Sequence, residues 1–92
     1  MALTKVTVVD KIEVLEMGQV QVRTATRVME DGVELSSSFH RHFVEPSIKI
    51  GDTWGDTDIS GEDARVQAIA TATWTSAVKT AYQEMMDANA TP

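Results

Sequence analysis

The chain has no cysteine. Disulfides and thiolate metal sites are therefore excluded as staples for a small fold, and the redox compartment stays open. Proline occurs twice, at Pro46 and Pro92, so nothing before residue 46 interrupts an extended ladder in that way. Aromatic residues make up only 5% of the 92 residues, and a chain this short builds a thin core. Small domains of that kind often gain stability by assembling with copies of themselves or with a partner. No apolar stretch approaches the ~20 residues that span a bilayer. The opening residues, Met1-Ala2-Leu3-Thr4-Lys5, lack the apolar run of a signal peptide. The expectation is a soluble protein made in a cytoplasm, without membrane contact.

Catalytic groupings are also missing. There is no Gly-x-Ser-x-Gly elbow and no glycine loop to cradle a phosphate. Ser36 and Ser38 precede His40, but alternation sets all three in a row along a strand with no orienting acid. Asp56 and Asp58 fall in a polar loop, where nothing apolar would raise one carboxyl pKa. The reading is a non-enzyme with no cofactor.

Charge is uneven. The total is −6; up to Ile50 there are six basic and seven acidic residues, and from Gly51 onward two basic and seven acidic. The second half therefore carries −5, which repels phosphate backbones and disfavours nucleic acid. Such a surface also serves solubility.

What the chain does have is alternation. Val6, Val8, Ile12 and Val14 recur with period two, as do Val20, Val22, Thr24, Thr26 and Val28, and then Val33, Leu35, Phe39 and Phe43. β-Branched and aromatic residues suit a half-buried pleated surface. Asp31-Gly32 marks a two-residue turn pairing Glu30 with Val33, which sets Val28 opposite Leu35, Thr24 opposite Phe39 and Val20 opposite Phe43. Glu16-Met17-Gly18 reads as a three-residue turn pairing Leu15 with Gln19, which sets Val14 against Val20, Ile12 against Val22 and Val6 against Val28. Both registers put the apolar residues on one face, with Asp10, Thr24 and Thr26 in its middle.

Glu45-Pro46 ends the third strand, and Ile48-Lys49-Ile50 is a candidate short strand before a loop over residues 51–60. Ser60 reads as a helix N-cap, with Asp63 in the first turn. Val66, Ile69, Ala70, Thr73, Trp74, Ala77, Val78, Ala81, Tyr82 and Met85 then follow at helical spacing. The Thr73-Trp74-Thr75-Ser76 patch favours a break, with Thr75 capping a second helix, over one helix from Glu62 to about Ala88. Residues 89–92 read as a frayed tail. The expected architecture is α+β: one domain over residues 1–92, with a three-stranded antiparallel meander over residues 4–44, a loop over 45–60 and one or two helices within 61–88 packed on the sheet.

His40 and His42 share one side of a strand, where a metal ion could reach both imidazoles. Two ligands do not close a site, although a threefold assembly would bring six. Alternatively both lie on the outer, solvated sheet face beside Gln21 and Arg23. Asp56 to Gly61 resembles half of a calcium loop, but the twelfth position is Gln67 rather than a bidentate glutamate. Trp74 and Tyr82 read as core, and Trp54 or the Met85-Met86 end as a contact surface. The candidate interface is Gln21, Arg23, Arg41 and Trp54.

Three stretches carry a resemblance: Val20-Gln21-Val22-Arg23-Thr24-Ala25-Thr26, Phe39-His40-Arg41-His42, and Ser60-Gly61-Glu62-Asp63-Ala64-Arg65-Val66-Gln67-Ala68-Ile69. Together they resemble small, mostly uncharacterised proteins encoded by tailed bacteriophages, often near virion and tail genes. Where the helical segment of such proteins often begins Thr-Pro, this chain has Thr75-Ser76. The resemblance implies a non-enzymatic virion structural protein, made in the host cytoplasm. It would work by assembly in a tail, a fibre attachment or a capsid decoration. Its partners would be other virion proteins and copies of itself, in a trimeric or hexameric setting. The alternative it allows is an intracellular phage accessory protein that binds a host protein through its acidic face.

Overall fold

The structure, a computed structural model, describes residues 2–90. It is α+β. Strands β1 (Leu3–Val14), β2 (Val20–Glu30) and β3 (Val33–Val44) form an antiparallel sheet in the order β1-β2-β3. A small hairpin, β4 (Ser47–Ile50) and β5 (Thr53–Asp56), leads to helices α1 (Ala64–Thr73) and α2 (Ser76–Ala90). Of the segment read as a frayed tail, Asn89 and Ala90 belong to α2, while Thr91 and Pro92 lie outside the described residues.

Both turns form as their residues dictate. Asp31 and Gly32 take positive φ values of 51° and 83°, and Glu30 pairs with Val33. Gly18 has φ 91°, and Leu15 N–H donates to the Gln19 carbonyl at 2.8 Å. Val14 pairs with Val20 and Ile12 with Val22, as expected.

Away from the turns, both outer strands depart from the expected register. The β1–β2 ladder steps from Lys11↔Arg23 to Val9↔Thr24, so Asp10 is an extra, bulged residue. Val6 consequently faces Arg27 instead of Val28. The β2–β3 ladder steps from Met29↔Glu34 to Val28↔Ser36, which leaves Leu35 bulged. Every later β3 residue then changes face: His40, not Phe39, is opposite Thr24, and Val44, not Phe43, is opposite Val20.

The helices cover only one end of the sheet. The core there is Val20, Val22, Val44, Val66, Ala70 and Trp74, with Val9, Ile12, Ile59 and Val78 packed around it. Burying a valine fully, as at Val20, Val22 and Val66, contributes about 1.5–3 kcal/mol each. Beyond that end the meander projects as an arm without a covering layer. The radius of gyration is 17.1 Å and the long axis 57 Å, whereas a compact chain of this length has a radius near ~12 Å.

The helix break falls where Thr75 places it. Trp74 closes α1 with its backbone N–H on the Ala70 carbonyl, and Thr75 Oγ1 accepts from Val78 N–H at 3.3 Å. The first cap is Asp63 rather than Ser60; its carboxylate accepts from Arg65 N–H at 2.9 Å. Ser60 N–H instead donates to Asp58 Oδ1, closing a local turn ahead of the helix. Trp74 and Tyr82 are core residues, 8% and 1% exposed. Ala77 and Ala81 are exposed, because α2 turns Val78 and Tyr82 inward rather than the whole expected stripe. The loop read over residues 51–60 contains β5, joined to β4 by a Gly51-Asp52 turn with Gly51 at φ 64°.

Gly18 is where these parts meet. Its carbonyl accepts the Trp74 indole N–H at 2.7 Å. A Cβ at this position would lie 2.5 Å from Val78 Cγ1 and 3.0 Å from Pro46 Cγ. Both the positive φ and the close approach therefore demand glycine.

Candidate interaction surface

The sheet face turned away from the helices is set by β2. Along it, Gln21, Arg23, Ala25 and Arg27 alternate outward, and ladder pairing adds Phe43, Arg41, Phe39 and Ser37 from β3. Val6 and Val8 join from β1. Phe39 and Phe43 are 50% and 59% exposed. The expected cluster of Gln21, Arg23, His40 and His42 is thus corrected. The Leu35 bulge sends both histidines to the helix side and brings both phenylalanines to the outer side. Gln21, Arg23 and Arg41 do share the outer face. Trp54 does not belong to it, being in β5 against α2.

At the centre of this face is a charge network built on Asp10, the one member that the alternation places on the opposite side. The bulge aims Asp10 at Arg23, which holds it with two bonds, Nε at 3.0 Å and Nη2 at 2.8 Å. Arg27 approaches the same carboxylate at 3.9 Å and reaches Glu34 at 3.4 Å. The Arg23 guanidinium also sits 4.4 Å from the Phe39 ring centroid. The hydrogen bond from Arg23 holds the Asp10 carboxyl below its ordinary pKa, with the nearby arginine charges adding to it. Arg41 lies directly opposite Arg23 on the neighbouring strand, and no carboxylate among the described residues is within ion-pair distance of it. The surface is therefore mixed: exposed phenylalanine and valine around an arginine–carboxylate cluster.

On the helix side, His42 Nε2 lies 2.8 Å from Glu62 Oε1, tying β3 to the segment before α1. His40 stacks on His42 with ring centroids 6.3 Å apart. Among the described residues no group of three histidine or carboxylate side chains converges to hold an ion. Asp56, from the calcium-like stretch, pairs with Lys79 at 3.0 Å. Asp58 is lowered in pKa by its hydrogen bonds from Ser60.

Trp54 has a structural assignment. Its indole N–H donates to Asp87 at 3.2 Å and its ring meets Tyr82 edge-on at 6.1 Å. Lys49 bonds the same carboxylate at 3.0 Å. The β4–β5 hairpin is thereby clasped to α2. Burial, then the negative charge of Glu45 and a hydrogen bond to it, push the Tyr82 phenol up to about 12.

An open groove of about 370 Å³ runs between the β1 bulge and α1, lined by Asp10, Lys11, Ile12, Arg65, Ala68 and Ile69. Arg65 spans it to the Val9 carbonyl. Two residues with roles beyond the sequence expectations are Asp10 on the outer face and Glu62 on the helix side. Asp10 carried a signal, a charged side chain inside an apolar alternation. Glu62 carried none, since nothing local indicates a histidine 20 residues earlier. The chain matches no protein-family model, no curated protein sequence and no solved structure.

Proposed function

We propose that this protein is a non-enzymatic structural component that works by protein–protein assembly. The observation that carries this reading is the uncovered arm. A three-stranded sheet extends beyond its helices with Leu3, Val6, Val33, Leu35 and Phe39 all exposed, and isolated sheets of that kind are stabilised by burial against another surface. The resemblance to tailed-phage proteins supplies the setting: a virion, with other virion proteins and further copies of this chain as partners, in a tail, fibre attachment or capsid decoration. No cofactor enters this role. Metal held by His40 and His42 is the weaker idea, because His42 is already engaged by Glu62.

The accessory-protein alternative draws on the −5 charge of the second half. Several of those acids are engaged within the fold: Asp56 with Lys79, Glu62 with His42 and Asp87 with Lys49. The acidic surface is correspondingly diluted, and the arm remains the better-supported contact. Quantitative proteomics of purified particles tests the proposal. The protein should be present at a fixed copy number, in multiples of three or six for a tail or fibre. Its absence from particles, with a host protein recovered alongside it, would overturn the structural role in favour of the accessory one.

A further inference from the structure

The two edges of the sheet are treated differently. On β1, the Asp10 bulge interrupts the ladder, Lys5 and Lys11 flank it, and Arg65 caps the Val9 carbonyl. Bulges, lysines and covering side chains are the usual ways of blunting an edge against further pairing. The β3 edge also has a bulge, at Leu35 near the second turn, but no lysine and, among the described residues, no covering side chain over its middle. Residues 33–41 are all exposed, the strand has no proline, and its middle is Ser36-Ser37-Ser38-Phe39. Its charged residues are Glu34, near one end, and Arg41, towards the other.

We infer that β3 is a self-pairing edge, on which a second copy of this chain adds its own β3 antiparallel about a two-fold axis at Ser38. The inference rests on the assembly reading and names its partner and contact. In this register Ser38 faces Ser38 of the second copy, Ser37 faces Phe39, and Ser36 faces His40. Facing residues then share a face, as an antiparallel ladder requires. Glu34, paired with Met29, is on the outer face, and the Leu35 bulge brings Arg41 to that same face. With Leu35 again the extra residue in the new ladder, Glu34 of each copy comes opposite Arg41 of the other. Charge complementarity selects this occupant. Arg23, opposite Arg41, is already met by Asp10, whereas Arg41 has no carboxylate within ion-pair distance among the described residues; Glu34 of the second copy, shared with Arg27, supplies one. The result is a continuous six-stranded sheet whose outer edges are the two blunted β1 strands. The two-fold contact is isologous, and in a hexamer it would join two trimers.

The absence of native cysteine makes the test direct. Ser38→Cys places one thiol per chain on the proposed axis, where facing Cα atoms fall within disulfide reach. Under mild oxidant this variant should form a covalent dimer, while Thr7→Cys on the β1 edge should not. Glu34→Arg should weaken the non-covalent dimer at least tenfold in sedimentation, and Glu34→Arg with Arg41→Glu should restore it. All these positions are exposed, and circular dichroism checks that each variant folds. A wild-type chain that sediments as a monomer at its highest soluble concentration overturns the inference. So does Ser38→Cys cross-linking no better than Thr7→Cys. If the chain is nevertheless found in particles, the assembly reading stands and only this contact falls.

Discussion

The two ends of the same three strands live in different surroundings. Near the first turn, β2 places Val20 and Val22 beneath α1 with no exposure, and the turn itself is pinned by Trp74 and Val78. Near the second turn the same strands carry valine and leucine into open solvent; Leu3 is 65% exposed and Val33 62%. Backbone pairing runs through both regions, with one bulge in each ladder. Pairing alone therefore does not distinguish a core from an arm; a covering layer does. The packed end is where stability resides, and the arm is where a partner has something to gain.

That contrast predicts a graded response to substitution. Gly18→Ala should have the largest effect, costing about 3 kcal/mol, because it adds a side chain where φ is positive and Val78 is already too near. Urea unfolding measures it; a loss under about 0.5 kcal/mol would show that the helices are not docked on this turn. Trp74→Phe should cost roughly 2 kcal/mol, since it leaves the buried Gly18 carbonyl without its donor.

Raising pH should act on the packed end as well. The folded Tyr82 holds its proton up to about 12, whereas the unfolded phenol ionises near ~10. Its contribution is fully present below the unfolded value and is lost as pH rises through the folded one. As the chain has a single tyrosine, its phenolate absorbance reports that group alone. Ionisation at an ordinary pH while the far-ultraviolet signal is intact would contradict the burial. Smallest of all should be Leu3→Ser and Val6→Ser in the arm, each within about 0.5 kcal/mol in the isolated chain. Losses there as large as at Gly18 would erase the distinction between the ends.

Much of this was legible in the residues. Turn chemistry at Gly18 and at Asp31-Gly32 determined both hairpins, and Thr75 marked the helix break. The Gly51-Asp52 pair was an equally good turn signal for β4–β5 that went unread. The bulges were not legible, and they decided which side chains share a face. Alternation assumes that the most apolar phase of a strand faces the core. In β3 only Val44 is buried with the core, so the phase of Phe39 and Phe43 carried no information about it. Asp10 leaves the ladder for two arginines on β2, contacts that depend on tertiary pairing. Gln21 and Arg23 stay on the outer face because that needed only the middle strand; Arg41, opposite Val22 in the expected register, reaches that face only through the Leu35 bulge.

The strand lengths have a mechanical consequence. β1 and β3 each have 12 residues and β2, between them, 11, and each outer strand carries one bulge. In a twisted ribbon the margins trace a longer path than the centre line, and an extra residue in each margin lets the ribbon coil without parting its ladders. Bulges increase local right-handed twist, and twist accumulates across a sheet with every strand added. An arm shaped in this way can accept a matching ribbon along one margin, but it resists the flat, endless stacking that makes a fibril.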